Sequence, residues 1–120
     1  MALRAVRGAT HLSADDADEM REAVVELLGE LLARNALSTD DLISVLFTAT
    51  PDLVSLFPAS AARALNIADV PLICAQEIDV AGGMPRVVRV MAHVETPLAR
   101  ADVTHVFLRG TQALRVDLAT

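Results

Sequence analysis

Asp41-Leu42-Ile43-Ser44-Val45-Leu46-Phe47-Thr48-Ala49-Thr50-Pro51 is an apolar, β-branched run that begins at an acid and stops at a proline. Apolar side chains follow one another here without a polar residue at every second position, the pattern of a strand covered on both faces. Pro51 has no N–H to give to a ladder and so ends it. The stretch is far shorter than the roughly 18 apolar residues of a membrane span, and so is the other long uncharged run, residues 53–62. A buried central β-strand of a soluble domain is therefore the reading on which the rest is built.

Upstream, Ala17, Met20, Val24, Leu27, Leu28 and Leu31 step by three and four residues, while Asp18, Glu22, Glu26 and Glu30 take another face. This periodicity predicts an amphipathic helix ending near Arg34-Asn35, with its acidic stripe toward solvent. Ser13 is the expected N-cap, and Asp15, Asp16 and Asp18 put negative charge in a first turn, where the helix dipole favours it. Before the helix, residues 2–10 alternate imperfectly, with Arg4 and Arg7 among apolar positions, and close on Gly8-Ala9-Thr10 as a first strand.

Downstream, Thr50-Pro51-Asp52 reads as a turn, and Phe57-Pro58-Ala59-Ser60-Ala61-Ala62-Arg63-Ala64-Leu65 as a short helix with proline at a permitted N-terminal position. Residues 70–75 form a third strand, kept to an edge or to its first position by Pro71. Gly82-Gly83 break the chain ahead of a long strand over residues 85–95, and residues 103–108 are the last strand. The order β-α-β-α-β-β-β predicts one α/β (α+β) domain over residues 1–120, a sheet with helices on one face.

The length, 120 residues and 12.7 kDa, is that of one domain. Hydrophobic residues make up 53% and mean hydropathy is +0.45, yet Arg4 and Arg7 interrupt the apolar N-terminal stretch. No export signal is expected, and the cytoplasm is the expected compartment. All 10 basic residues are arginine. Without lysine there is no Schiff-base amine, no anchor for a pyridoxal cofactor and no phosphate-loop lysine. Cys74 is the single cysteine, so no intrachain disulfide forms. His11, His93 and His105 lack metal-ligand spacing, and no metal is expected.

Net charge is −6, but residues 15–41 hold nine acids against two arginines, which leaves the remainder at +1. With no basic stripe, and only Phe47, Phe57 and Phe107 as aromatics, nucleic acid is not an expected partner. One helical layer covers one face of a sheet. The second face, read from Val45, Phe47, Ile73, Val88 and Val90, then needs a cover that the chain does not supply, and self-association is its simplest source.

Arginine is costly at three places: Arg7 in the first strand, Arg89 within Val87-Val88-Arg89-Val90-Met91, and Arg63 on an alanine-rich helix. A guanidinium in apolar surroundings meets either a carboxylate of the protein or an anionic ligand. Glu77 and Asp79 are the carboxylates for the first reading, an internal ion-pair network. A small dicarboxylate held bidentately satisfies the second. Cys74 has no histidine near it in sequence; spacing leaves a Ser-His-Asp arrangement open, but no Gly-x-Ser-x-Gly elbow occurs, and the expectation for an enzyme is fixed charges placed around a reacting anion.

Arg4-x-x-Arg7-Gly8-Ala9-Thr10, Ala49-Thr50-Pro51-Asp52-Leu53 with Phe57-Pro58-Ala59, and Pro71 with Cys74-x-Gln76-Glu77-x-Asp79-Val80-x-Gly82-Gly83 follow one another in this order. Arg89-Val90-Met91, His105-Val106 and Leu114-Arg115-x-Asp117-Leu118 complete the series. Together these segments resemble the monofunctional AroH-type chorismate mutases over nearly the whole chain. The resemblance implies a mixed five-stranded sheet in a pseudo-barrel homotrimer, with active sites in clefts between subunits. It also implies the concerted rearrangement of chorismate to prephenate, a shikimate-pathway step toward phenylalanine and tyrosine, with no cofactor, metal or covalent intermediate.

By the same resemblance, Arg89 lies against the ether oxygen and a carboxylate, Arg7 clamps a carboxylate, and Glu77 and Cys74 hold the ring hydroxyl. Phe57 and Leu114 supply apolar walls, Arg63 and Arg115 a positive field at the mouth, and Ala59, Ser60, Leu72, Ile73 and Phe107 further substrate contacts. Phe107 stands where the family often has tyrosine, and Ser60 where it often has lysine, which removes one hydrogen bond and one attractive charge. The competing expectation is a non-catalytic trimeric module that binds small dicarboxylate anions.

Overall fold

The run that opens at Leu42 forms β2 (Leu42–Ala49), an interior strand of the sheet in the computed structural model, which describes residues 1–114. On one side of it β3 (Leu72–Gln76) runs parallel, and on the other β4 (Val87–Thr96) runs antiparallel. β1 (Ala2–His11) pairs with β4 along its whole length, from Ala2 opposite Thr96 to His11 opposite Val87. β5 (Val106–Phe107) adds parallel to β1, so the mixed sheet has the order β3-β2-β4-β1-β5. β3 lies at an edge and begins directly after Pro71, in keeping with the edge or first position expected of that proline.

α1 (Ala17–Arg34) and α2 (Pro58–Ala62) cover one face of this sheet. α1 turns Met20, Val24, Leu27, Leu28 and Leu31 fully inward against the strands. Each such side chain contributes about 1.5–3 kcal/mol on leaving water. No described helix is long and apolar enough to cross a membrane.

The start of α1 differs from the expectation built on Ser13. Asp16 is the N-cap, its carboxylate accepting the Glu19 N–H at 2.9 Å, because it stands directly before the first helical residue. Ser13 is instead held from inside the helix: its N–H and hydroxyl both donate to the Glu19 carboxylate, at 2.7 and 2.9 Å.

The assignment of sheet faces also changes. Val45, Phe47, Val88 and Val90 are buried beneath the helices, and of the five residues expected on the second face only Ile73 is there, 63% exposed. An unbroken apolar run does not reveal which alternate set meets the helices. Pairing does: Leu46, Met91 and Arg7 lie in one row across β2, β4 and β1, and Thr48, Arg89 and Ala9 in the next. The helix-free face is thus a mixed surface that carries both Arg7 and Arg89.

The last strand is shorter than residues 103–108. Asn35, the buried C-cap residue of α1, donates through Nδ2 to the Leu31 and Thr104 carbonyls and accepts the Thr104 N–H on Oδ1 at 2.7 Å. Thr104 therefore has its backbone satisfied by a side chain, and ladder pairing begins only at Val106.

β5 approaches β1 where β1 has no side chain. A methyl group built on Gly8 would lie 2.9 Å from the Val106 carbonyl oxygen and 3.0 Å from Leu27 Cδ1. Gly8→Ala reduces the entropy of the unfolded chain, worth about 0.4–1 kcal/mol, but overpacking against a backbone atom costs about 1–3 kcal/mol. The clash wins, and a lower thermal midpoint is expected. An unchanged or raised midpoint would show that β5 moves aside freely.

Two carboxylates near the start of α1 make stability pH-dependent. Asp15 is held below its ordinary value of 3.8 by the Ser55 hydroxyl and by the Ser55 and Val54 N–H groups. Glu19 is held below 4.5, first by the Ser13 N–H and then by its hydroxyl. Both bind protons more weakly folded than unfolded, so their stabilisation is present above those ordinary values and lost as pH falls through the lower folded ones. The melting midpoint is expected to drop below about pH 4.5, and Asp15→Asn to flatten that slope.

Candidate active site

Arg89 sits on β4 opposite Thr48 of β2 and Ala9 of β1. Its Nε donates to both oxygens of Glu77, at 3.1 and 3.3 Å, and the Thr48 hydroxyl donates to Glu77 Oε2 at 2.6 Å. Glu77 follows β3 directly, and its N–H donates to the Ala49 carbonyl at 2.9 Å, which fixes its backbone against the end of β2. The Glu77 side chain is 17% exposed, that of Arg89 41%. The pair thus uses one edge of the guanidinium. The two terminal nitrogens have no protein partner among the described residues.

Arg7 lies one row away on the same face, opposite Met91. Its backbone N–H donates to His105 Nδ1 at 3.0 Å, while its half-buried guanidinium has no described partner. Arg7, Arg89, Thr48 and Phe107 line one cavity of about 210 Å³, completed by Leu46 and Met91. Arg89 also borders a larger hollow of about 570 Å³, together with Glu77, Thr50 and Asp52. Two guanidinium groups with free donors at the wall of one cavity are arranged for an anion with more than one carboxylate.

The remaining candidates gather elsewhere. Phe57 and Cys74 line a separate cavity of about 440 Å³ near α2. The Cys74 sulfur accepts the Ala59 N–H at 3.3 Å, so the thiol is tied to the first turn of α2 and not to Arg89 or Glu77. Ala59 is buried and Ser60 half-buried in α2, and Arg63 is exposed in the 3-10 turn Arg63–Leu65. Phe57 is 71% exposed. Leu72 faces the core side of β3, Ile73 the helix-free side, and Leu114 ends the 3-10 turn Thr111–Leu114, half-buried. None of these lines the cavity of Arg7 and Arg89. Arg115 lies outside the described residues. Asp79, the second carboxylate considered for the arginines, is exposed and makes no ion pair with them.

Thr48 was not among the candidates, although it anchors Glu77 and lines the cavity. Asp52 belongs to the Thr50-Pro51-Asp52 turn and has no site role in the sequence reading. Its carboxylate accepts the Thr50 hydroxyl at 2.6 Å and the Arg86 N–H at 3.1 Å, which locks the loop after β2 onto the entry to β4. Asp after Thr-Pro is the signal for such a lock, but its partner lies far along the chain. No group of three His, Cys, Asp or Glu side chains disposed to hold a metal occurs among the described residues.

The match to the type I chorismate mutase family model spans residues 3–118. The chain is 38% identical to the chorismate mutase AroH of Bacillus subtilis, over 99% of this chain and 94% of that protein. It is 42% identical to the chorismate mutase AroH of Thermus thermophilus, over 97% and 96%. A solved chorismate mutase from Clostridium thermocellum superposes with a TM-score of 0.88 at 43% identity, covering 91% of this chain and 97% of that one. Near-complete coverage in sequence and in structure, on a sheet that sets Arg7, Arg89 and Glu77 on one face, means that the chain belongs to the type I chorismate mutase family.

Proposed function

We propose that this chain converts chorismate to prephenate in clefts completed by a neighbouring copy within a homotrimer, and that it works in the cytoplasm. The observation that carries the reading is the cavity shared by Arg7 and Arg89, with free guanidinium donors, and Glu77 bonded to Arg89 in the adjoining hollow. In the reaction one C–O bond breaks as one C–C bond forms, and no atom enters or leaves. Negative charge grows on the ether oxygen while the enolpyruvyl arm moves over the ring.

Glu77 grips the Nε edge of Arg89 and so turns its terminal nitrogens toward that oxygen. Donors fixed in advance at a developing charge need no reorganisation when it appears, and one of them is worth about 2.7–4 kcal/mol. Arg7 is suited to clamp a carboxylate, and the second Glu77 oxygen to accept from the ring hydroxyl. Holding the flexible arm over the ring removes part of the entropic barrier.

At about 210 Å³ the Arg7–Arg89 cavity falls below the roughly 300–1,000 Å³ of ordinary small-molecule sites, so another wall is needed. A second copy supplies it in this reading, with Phe57, Ala59, Ser60 and Arg63 facing Arg7 and Arg89 across the boundary. Cys74, Leu72, Ile73, Phe107, Leu114 and Arg115 would add contacts around the cleft.

The test is loss of chorismate absorbance and appearance of prephenate with purified protein in buffer containing a chelator. Turnover is the expected result. Calorimetric binding of chorismate without conversion would replace the mutase with the dicarboxylate-binding module, and the absence of both binding and turnover would overturn the site.

A further inference from the structure

Arg109, two residues past the cavity-lining Phe107, is the centre of the largest ion cluster among the described residues. Its Nε donates to Glu26 at 3.0 Å, its Nη2 to Glu22 at 3.3 Å, and its Nη1 lies 3.9 Å from Glu19. Three successive acids on one face of α1 thus grip all three guanidinium nitrogens. The Arg109 side chain is only 25% exposed. Its backbone is left-handed, with φ of 53°, and Gly110 follows at 88°. A non-glycine residue stays in that region when its surroundings hold it there.

The segment anchored in this way leads from Phe107 to Leu114. β5 has two residues, and past them the chain is held to β1 by the Leu108 N–H and the Thr111 hydroxyl, both donating to the Ala9 carbonyl at 2.9 and 3.1 Å. So short a strand frays readily at its end. Phe107 forms part of the cavity wall, and the chain turns at Arg109-Gly110 directly beyond it.

We infer that Arg109 is a positioning residue, clamping the turn after β5 to the acidic face of α1 and so holding Phe107 in the wall of the substrate cavity. This rests on the function proposed above. An apolar wall touches ground state and transition state alike, so loosening it weakens both equally and appears in KM and not in kcat. The α1 acids therefore serve the site without touching the substrate.

Arg109→Asn removes the fork yet keeps a side chain that tolerates the left-handed backbone. It is expected to raise the KM for chorismate about fivefold with kcat within about twofold, the size expected from losing two or three partly exposed pairs. Glu22→Gln with Glu26→Gln is expected to raise KM similarly, and adding Arg109→Asn to that pair to raise it no further. Arg109→Lys, a point charge able to meet only part of the cluster, is expected to restore KM partly.

Unchanged KM in both the arginine and the glutamate variants, or strictly additive effects, overturns the inference. Should Arg109→Asn fail to fold, the glutamate pair carries the test. Should the wild-type protein leave chorismate unchanged, the proposed function falls, and amide hydrogen exchange over residues 107–114 then decides the anchor. Faster exchange in the variants supports it, and unchanged exchange overturns it.

Discussion

Arg89→Ala is expected to lower kcat by about a thousandfold, the upper end of the range for removing one donor from a developing oxyanion. The loss should be large because the terminal nitrogens are unoccupied by protein, so their whole binding capacity is available to substrate. The fold should be little affected. The Arg89 side chain is 41% exposed, and Glu77 keeps the Thr48 hydroxyl at 2.6 Å and some contact with solvent when its cation is gone. An exposed pair of this kind contributes at most about 1 kcal/mol. Arg89→Lys retains the charge but not the fork and should recover only a minor part of the rate. Steady-state kinetics beside a thermal melt decide the matter: turnover near wild type in a folded Arg89→Ala protein contradicts the role given to this side chain.

The features that could be read in advance are those whose cause is local. The three-and-four spacing from Ala17 to Leu31 carries the helix, because its burial depends on one periodicity within one segment. Pro71 marks where β3 begins and is compatible with its edge position, since it lacks a donor wherever it is placed. Arg7 and Arg89 stood out because charge inside an apolar strand needs a partner. What could not be read depends on register. Thr48 reaches Glu77, and stands beside Arg89, only because β2 and β4 pair as they do, and Val45 and Phe47 face the helices for the same reason. The shortening of β5 has a distant cause as well, the Asn35 amide taking over both backbone groups of Thr104. Arg109 carries no signal in its neighbourhood, and of its acids Glu22 and Glu26 belong to a stripe that reads as solvated surface, with Glu19 beside it.

Two nearly inactive variants are expected to restore activity when mixed. Arg89 lies on the helix-free face, whereas Arg63 follows α2, which packs on the other face and beside the edge strand β3. One chain does not bring the two guanidinium groups to one cavity, yet the charge of a dicarboxylate favours both. In the proposed trimer each cleft takes Arg89 from one protomer and Arg63 from the next. Arg89→Ala and Arg63→Ala homotrimers would then carry a defect in every cleft, each with turnover reduced about a hundredfold or more. In an equimolar mixture, co-expressed or refolded together, about one cleft in four joins an intact Arg89 to an intact Arg63. Specific activity should rise to about a quarter of wild type, far above either parent. Subunits mixed without exchange provide the control and should show no gain. If the co-assembled protein stays at the level of its parents, each site is built within one chain and the shared cleft is wrong, whatever the oligomeric state. If activity appears at the quarter level, the small cavity between Arg7 and Arg89 is half of a site whose other wall belongs to the neighbouring subunit.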